Sequence, residues 1–541
     1  MTGPADASPG ADPVPAAATP PAVRRLGLAA LTLALLAAVV LGYTGRDDSH
    51  ITYWAADAIA AGDGIVNYNG ERIEQSSTLA YSAALAGAVA ATGLTGAVLA
   101  PWLSAGFLVV LGGSTALALR ARGLSGWLAA LPVLAPPLLY WSLSGMENSL
   151  YALALLALVL ALAHGLSTAA RPVALAGAAL AAALVTLTRP EGVFVALCMG
   201  GGTLLALPAR RVVLRLGAAV AAGAVVALLL RLALGLRLFP NPVYAKQSIG
   251  LSERLSDGVA FAKLAVSQMP ASSAAAALLA LGAALLWLRA RRAGPVGPVL
   301  QLAFTALLAT AAATGFAVLS GGDWMENGRF FAPAVFFGVL AGLIALPGRA
   351  RVPAGAIWIA AVLVDLTAMA RAPYGGLPLF APHRQAVTEY TPAAAERFNT
   401  IHARDRLFAD RLLAELARDP REAVTIASIQ AGLVPYYVFG ESDKDLTFVD
   451  FYGLVTDHVH GCGTDWDARF DPYADLADLQ ACVGLPFDYL YDIDADWSRA
   501  ARLEEMGCEV IVRQDLVVAT VPWKEPNDSR MFLAKCASRM N

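Results

Sequence analysis

Long runs of Ala, Leu and Val recur along the chain from residue 26 to residue 370, and short polar phrases separate them. A helix needs about 20 largely apolar residues to cross a bilayer. Runs close to that length lie near residues 26–43, 126–143, 148–165, 173–188, 191–207, 212–233, 271–288, 297–318, 330–346 and 352–370. This pattern predicts a bundle of helices that crosses a membrane many times.

The stretch from residue 78 to residue 119 is also apolar, and it is long for a single helix. The charges of its flanking loops require an odd number of crossings. We therefore predict one span that is broken or partly re-entrant around Thr-Gly-Leu-Thr-Gly at residues 92–96. The whole chain then has about eleven transmembrane helices.

Composition supports a membrane protein and excludes several other classes. The 541 residues are 57% hydrophobic and only 15% charged, whereas about a quarter of a soluble chain is charged. A soluble enzyme, a disordered chain and a nucleic-acid binder are therefore excluded. Residues 1–23 are rich in Pro and Ala and lack a cleavage signal, so we expect a disordered cytoplasmic tail before a retained first helix.

The loops fall into two sets that differ in charge. One set is basic and is predicted to be cytoplasmic by the positive-inside rule. Its cations are Arg24, Arg25, Arg120, Arg122, Arg171, Arg210, Arg211, Arg215, Arg289, Arg291, Arg292, Arg349 and Arg351. The other set carries most acidic groups that precede the C-terminal tail and is predicted to face outward. Its polar phrases are residues 46–50, 144–149, 188–192, 240–248 and 321–330.

The C-terminal tail, residues 375–541, alternates short strand-like and helix-like segments, which predicts an extracytoplasmic α/β or α+β domain. Residues 24–374 form the predicted transmembrane domain, with an outer loop at 44–78. Cys198 lies in a span and is interpreted as a small buried apolar residue. The tail contains four cysteines, which favours two disulfides over a zinc site, with sequential pairing the simplest of three connectivities. They are Cys462, Cys482, Cys508 and Cys536.

Asp47 and Asp48 are the first candidates for chemistry, because ionisable groups at a membrane edge are usually functional. Two adjacent carboxylates can bind a divalent cation, or one can act as a general base while the other orients it. The structural alternative is an N-terminal cap on the helix that follows. That helix is amphipathic and is predicted to lie along the membrane surface. His50 can assist proton transfer or simply form hydrogen bonds.

The other outward phrases contribute cations and further polar groups. Arg189, Lys246 and Arg329 suit a phosphate at membrane depth, although Arg189 can also serve as an interface anchor paired with a carboxylate. Glu147 and Glu191 can instead complement helix dipoles, and Trp324 can belong to the aromatic belt. The candidates for binding sugar or acceptor are His50, Glu71, Glu147, Glu191, Asp323 and Trp324.

The order of these phrases, from residues 47–74 through 144–152, 188–192, 240–248 and 321–333 to the tail near 426–458, resembles the GT-C integral-membrane glycosyltransferases. Within that family the sequence is most similar to the actinobacterial terminal β-(1→2)-arabinofuranosyltransferases. It departs from them at His50, Asn69 and residues 75–77. The resemblance implies a GT-C fold in the plasma membrane and a C-terminal domain often able to hold carbohydrate.

The resemblance also implies an activity. Such enzymes transfer a sugar, here D-arabinofuranose from decaprenyl-phosphoryl arabinofuranose, to a cell-envelope glycan, and the catalytic Asp lies in the first outer loop, at Asp47 and Asp48. The anomeric outcome, inverting or retaining, stays open. Alternatives are a transferase for another polyprenyl-phosphate sugar, with a mannosyl donor or a protein acceptor, and a lipid-linked sugar flippase. A flippase predicts polar groups at mid-membrane in two related halves, which the sequence does not show. A membrane scaffold with a glycan-binding ectodomain is a further alternative, and it gives no reason for adjacent carboxylates beside outward cations.

Overall fold

The computed structural model describes residues 20–41, 47–206, 210–245, 250–323, 325, 327–371, 400–459, 462, 476–495, 497–517 and 528–536. The first helix begins at Pro21, so the predicted tail of residues 1–23 overlaps its first turn. The rest of that tail and the predicted domain boundary at residue 375 lie outside the described residues.

The N-terminal part of the chain is helical. Its helices are α1 (Pro21–Leu41), α2 (Ser49–Ala61), α3 (Leu79–Thr92), α4 (Gly96–Arg120), α5 (Ala130–Val133), α6 (Pro136–Ser142), α7 (Asn148–Ser167), α8 (Pro172–Thr188), α9 (Gly192–Gly202), α10 (Arg210–Ala233), α11 (Asn241–Ala245), α12 (Leu251–Gln268), α13 (Pro270–Ala293), α14 (Pro298–Leu319), α15 (Ala332–Ala345) and α16 (Gly348–Arg371). Short 3₁₀ helices lie at Gly126–Ala129, Thr203–Ala206 and Arg329–Phe331.

In the described part of the chain, seven helices are long and apolar enough to cross a membrane: α1, α4, α7, α10, α13, α14 and α16. Four shorter apolar segments accompany them, at α3, α8, α9 and α15. Many of their Leu and Val side chains are exposed on the outside of the bundle, as expected where lipid is the solvent. The prediction of a multi-pass membrane protein is confirmed.

The predicted span at residues 126–143 is not a continuous helix. The segment consists of a 3₁₀ turn and the short helices α5 and α6, and all of α6 is buried. Proline explains the break, because Ala135 precedes Pro136 and adopts ψ 116°, outside the helical region. The run is therefore a broken segment, and its second half packs inside the bundle.

The apolar stretch at 78–119 breaks where the sequence predicts. Helix α3 ends at Gly93, whose φ of 71° is left-handed. Helix α4 begins three residues later, where the Gly96 N–H donates to Asp57 Oδ1 at 2.7 Å. A carboxylate from another helix therefore accepts one of the free N–H groups at the start of α4.

The tail forms an α/β unit, as predicted. Its elements are α17 (Thr400–Arg418), β1 (Ala423–Ser428), α18 (Leu433–Glu441), β2 (Asp445–Asp450), α19 (Leu476–Val483), β3 (Tyr489–Ala495), α20 (Trp497–Glu505), β4 (Glu509–Val517) and β5 (Asp528–Lys535). The strand order is β2-β1-β3-β5-β4. Strand β1 is parallel to β2 and β3, with Ile426 opposite Phe448 and Tyr489, whereas β5 is antiparallel to both of its neighbours.

The cysteine predictions are confirmed in the tail and wrong in the bundle. Cys462 pairs with Cys482 and Cys508 with Cys536, which is the sequential connectivity. Cys198 lies in α9 as expected, but it is exposed instead of buried. A thiol is apolar enough to face lipid, so an apolar helix does not reveal which of its faces is packed.

Helix α2 was predicted to lie on the surface with one apolar face. Instead, most of its residues are buried, including polar Ser49, His50 and Thr52. The reason is that the tail covers it: α2 packs on α3 and α4 on one side and contacts α18 on the other. The prediction failed because the sequence pattern of α2 does not show the domain that covers its polar side.

Candidate functional site

Segments from distant parts of the sequence meet at one end of the helical bundle. The start of α2 contacts the polar phrase before α7, because Ser49 Oγ and Tyr53 Oη each donate to the carbonyl of Ser144, at 3.4 and 3.1 Å. Tyr81 Oη lies 2.9 Å from the carbonyl oxygen of Gly145. The first outer loop and the phrase at 144–149 therefore form one surface.

Asp47 binds the tail. Its Oδ2 accepts the N–H of Gly432 at 3.1 Å and its Oδ1 accepts the N–H of Leu433 at 2.6 Å, so the carboxylate caps the N-terminus of α18. Burial raises the pKa of Asp47, and the neighbouring carboxylates of Asp48 and Asp405 raise it further. Asp47 therefore does cap a helix, but this helix is α18 of the tail and not α2.

Asp48 occupies the N-cap position of α2, where its side chain makes no capping hydrogen bond, and it is partly exposed. His50 is fully buried among aromatic rings, with ring centroids 4.9 Å from Tyr53, 5.4 Å from Tyr436 and 5.8 Å from Tyr437. Asp48 therefore lies beside an aromatic cluster to which the membrane domain and the tail both contribute.

A buried ion cluster lies at the ends of α7, α8 and α9. Arg189 forms salt bridges with Glu147 and Glu191, and all three side chains are at least nine-tenths buried. Three predicted candidates are thus brought together by the ends of α7, α8 and α9. Burying a cation requires such partners, because an unpaired buried charge is strongly unfavourable.

Arg329 lies next to this cluster. Its Nε donates to Asp323 Oδ2 at 2.6 Å. Both cations lie near the Phe330 ring, whose centroid is 5.1 Å from the Arg189 guanidinium carbon and 5.3 Å from that of Arg329. Two guanidinium groups and three carboxylates therefore share one buried region, and each cation already has an acidic partner.

Glu71 lies at the contact between the outer loop and the tail. Its Oε1 is 3.4 Å from His458 Nε2, and its Oε2 accepts the Nδ2–H of Asn67 at 2.7 Å. The same Asn67 amide also contacts the carbonyl of Val455, at 3.1 Å. Lys246 and Trp324, the remaining candidates, lie outside the described residues.

Sequence analysis did not single out Arg231. Its guanidinium, near the end of α10, pairs with Glu74 through both nitrogens and donates from Nε to the carbonyl of Leu238 at 2.8 Å. Both side chains are about 5% exposed. The sequence could have indicated Arg231, because it is a cation in the last turn of an apolar helix.

Asp450 and Asp47 both accept backbone N–H groups of the tail. Asp450 accepts the N–H groups of Tyr452, Leu454 and Val455 and so closes a tight loop. Burial raises its pKa to about 6. Both oxygens of Asp47 accept N–H groups, and within the described ranges no three His, Cys, Asp or Glu side chains group closely enough to hold a metal ion.

The fold is that of a multi-pass membrane protein with a small α/β domain after the helical bundle. The apo structure of ArnT from Cupriavidus metallidurans is similar, with a TM-score of 0.53 and 15% identity over 95% of this chain and 97% of that one. A structure of the same protein bound to undecaprenyl phosphate gives a TM-score of 0.49 and 14% identity over 95% and 98% of the two chains. No protein-family model and no curated protein sequence matches the chain.

Proposed function

We propose that the protein is a glycosyltransferase that moves a sugar from a polyprenyl-phosphate donor to a glycan at the outer face of the plasma membrane. The observation that carries this proposal is the convergence of the outward polar phrases on one end of a bundle with the ArnT fold. Fold alone does not define an activity. The polar cluster supplies the chemical groups that the transfer requires.

The finer assignment is D-arabinofuranose, from decaprenyl-phosphoryl arabinofuranose to a cell-envelope glycan. It is supported by the resemblance of the polar phrases to terminal arabinofuranosyltransferases. The charges of the loops support an outward-facing site with residues 375–541 outside the membrane. We assign the transmembrane catalytic domain to residues 24–374.

Asp47 and Asp48 are the candidates to activate the acceptor hydroxyl. Both oxygens of Asp47 accept backbone N–H bonds from Gly432 and Leu433, so Asp47 is better suited to hold the tail beside the site. Asp48, at the partly exposed start of α2, is the better candidate to meet the acceptor. A carboxylate there can remove the hydroxyl proton or stabilise an oxocarbenium-like centre. A divalent cation bound by the pair remains a separate proposal.

Arg189, Lys246 and Arg329 are the proposed donor phosphate ligands. A sugar phosphate carries its own leaving group, so cations that offset charge on the departing phosphate take the place of a general acid. Arg189 holds two carboxylates, and a phosphate can replace one of them without leaving the guanidinium unpaired. His50, Glu71, Glu147, Glu191, Asp323 and Trp324 stay candidates for binding the sugar or acceptor.

The test is a transfer assay with the purified protein in liposomes. The donors are decaprenyl-phosphoryl arabinofuranose and decaprenyl-phosphoryl mannose, the acceptor is an arabinan oligosaccharide, and products are identified by mass. We expect one added pentose with the arabinose donor only. Addition of a hexose alone would replace the finer assignment, and no transfer from either donor would reject both.

A further inference from the structure

Several buried side chains in the described structure have a polar atom without a hydrogen-bond partner, and three of them lie beside the guanidinium groups of the ion cluster. They are Trp141 on α6, with Nε1, and Asn148 and Tyr151 in the first turn of α7, with Oδ1 and Oη. Their exposed fractions are 0%, 2% and 4%. Native proteins leave few buried polar groups unpaired, so each one requires an explanation.

These atoms belong to one region. The Trp141 ring centroid is 5.7 Å from the guanidinium carbon of Arg329, and the Tyr151 ring centroid is 6.0 Å from that of Arg189. Asn148 Nδ2 donates to the backbone carbonyl of Arg329 at 3.4 Å, which leaves its Oδ1 as the unpaired atom. All three side chains therefore surround the pair of guanidinium groups in the ion cluster.

The set of atoms is chemically mixed. The indole N–H of Trp141 is only a donor, the amide Oδ1 of Asn148 is only an acceptor, and the phenol of Tyr151 can do both. A phosphate offers acceptors alone, so it would be repelled by Asn148 Oδ1. A sugar hydroxyl donates one hydrogen bond and accepts others, and therefore matches all three groups.

We propose that Trp141, Asn148 and Tyr151 bind the hydroxyl groups of the donor sugar and so select which lipid-linked sugar is used. This inference rests on the proposed function, because it places the sugar of a polyprenyl-phosphate donor beside the ion cluster. Leaving a buried polar group unpaired is unfavourable. A bound sugar removes that cost, which a carrier without a sugar cannot do.

The test compares binding of decaprenyl-phosphoryl arabinofuranose, decaprenyl-phosphoryl mannose and decaprenyl phosphate to the protein in nanodiscs. Wild type should prefer one sugar-bearing lipid to the bare carrier. Trp141→Phe and Tyr151→Phe each remove one polar atom and keep an aromatic ring. Each should reduce that preference about five- to tenfold, the loss of one hydrogen bond.

Trp358→Phe is the matched control. Trp358 is also fully buried, but its Nε1–H donates to the carbonyl of Leu131 at 2.7 Å. This variant should lose thermal stability and keep the lipid preference. Tyr151→Phe should keep its thermal stability and lose part of the lipid preference. It removes an unpaired polar atom from a buried site without leaving another group unpaired.

Each outcome separates the inference from the proposed function. Wild type that binds none of the three lipids rejects the function, and the inference with it. Wild type that binds all three lipids equally, or variants that keep the wild-type preference, overturns the inference and leaves the function standing.

Discussion

Two adjacent aspartates have different surroundings, and this difference separates their roles. Asp47 caps α18 through both oxygens, whereas Asp48, at the N-cap position of α2, makes no capping hydrogen bond; both residues are partly exposed. A group that has to receive a proton from a substrate must reach that substrate. A group that holds two backbone N–H bonds in place instead acts through the element it positions.

We therefore expect Asp48→Asn to reduce turnover by about 10²–10⁴-fold with the tail still docked. Asp47→Asn should also reduce turnover, but through movement of α18, because an amide offers one acceptor oxygen where the carboxylate offers two. Hydrogen exchange at the amides of residues 432–438 distinguishes the two variants: only Asp47→Asn should accelerate it. Full activity in both variants would remove this pair from the site.

Arg189 is expected to contribute both to folding stability and to donor binding. Arg189→Ala leaves Glu147 and Glu191 buried without their cation, which should destabilise the protein by roughly 3–5 kcal/mol. Adding Glu147→Gln and Glu191→Gln removes those charges and should restore part of the thermal stability. Donor binding should stay weak in the triple variant. If binding recovered together with stability, Arg189 would have a structural role only.

The buried Asp450 predicts that the stability of the protein depends on pH. Burial raises its pKa to about 6, above the ordinary value of 3.8, so between these pH values the folded state binds more protons than the unfolded state. Its contribution to stability is therefore present below about pH 4 and is lost as pH rises through 6. Relative to Asp450→Asn, wild type should lose up to about 3 kcal/mol between pH 4 and pH 7. Chemical unfolding of both proteins across that range measures the difference, and parallel curves would contradict the assignment.

At the scale of elements, α2 connects the membrane domain to the tail through two carboxylates. Asp47, just before α2, caps α18. Asp57, in the third turn of α2, accepts the Gly96 N–H at the start of α4 with one oxygen and the Tyr436 hydroxyl with the other, at 2.7 Å each. The tail helix and a membrane helix are thus held by the same short segment.

Gly432 makes the close approach to Asp47 possible, because a Cβ on Gly432 would collide with the Asp47 backbone. Gly432→Ala should displace α18, lower stability by about 1–3 kcal/mol and reduce transfer. Gly440→Ala, on the same helix with nothing near its Cβ position, should keep both unchanged or improve stability slightly. Thermal unfolding and the transfer assay compare the two variants. Equal behaviour would show that this contact does not position the tail.

The limits of sequence reasoning are visible in these same elements. The length of the apolar runs predicted α7, α10 and α13 well, because the thickness of the bilayer sets the length of a spanning helix. It did not predict the break at 126–143, where the apolar run packs inside the bundle and Pro136 interrupts the helix. It also missed the partner of Arg231, because Glu74 lies more than 150 residues away in an outer loop and only the folded chain brings the two together.

At the scale of the molecule, the tail is held over the outer loop by polar contacts of distant residues. Asn69 exchanges hydrogen bonds with the backbone of Phe448, at 2.7 and 3.0 Å, and Asn241 donates to the carbonyl of Gly453 at 2.8 Å. The loop charges predicted which polar phrases lie on the same side of the membrane. They did not predict that the tail covers the outer loop. Amide contacts with backbone carbonyls carry no periodic pattern, so a single sequence does not reveal them.

The sidedness of the whole molecule can be tested by labelling introduced cysteines in intact cells. The background is Cys198→Ala, because the other four cysteines are paired in disulfides. Arg418→Cys lies on the exposed surface of α17, and Arg210→Cys lies at the exposed start of α10 in a basic loop.

A membrane-impermeant maleimide should label the Arg418→Cys protein in intact cells and the Arg210→Cys protein only after lysis, because the basic loops are retained on the cytoplasmic side. Asp47, Asp57 and Asn241 bind the tail directly, so the position of the tail also fixes the side of the ion cluster. The reverse labelling pattern would place that cluster in the cytoplasm, where an envelope glycan cannot reach it, and the proposed acceptor would have to be abandoned.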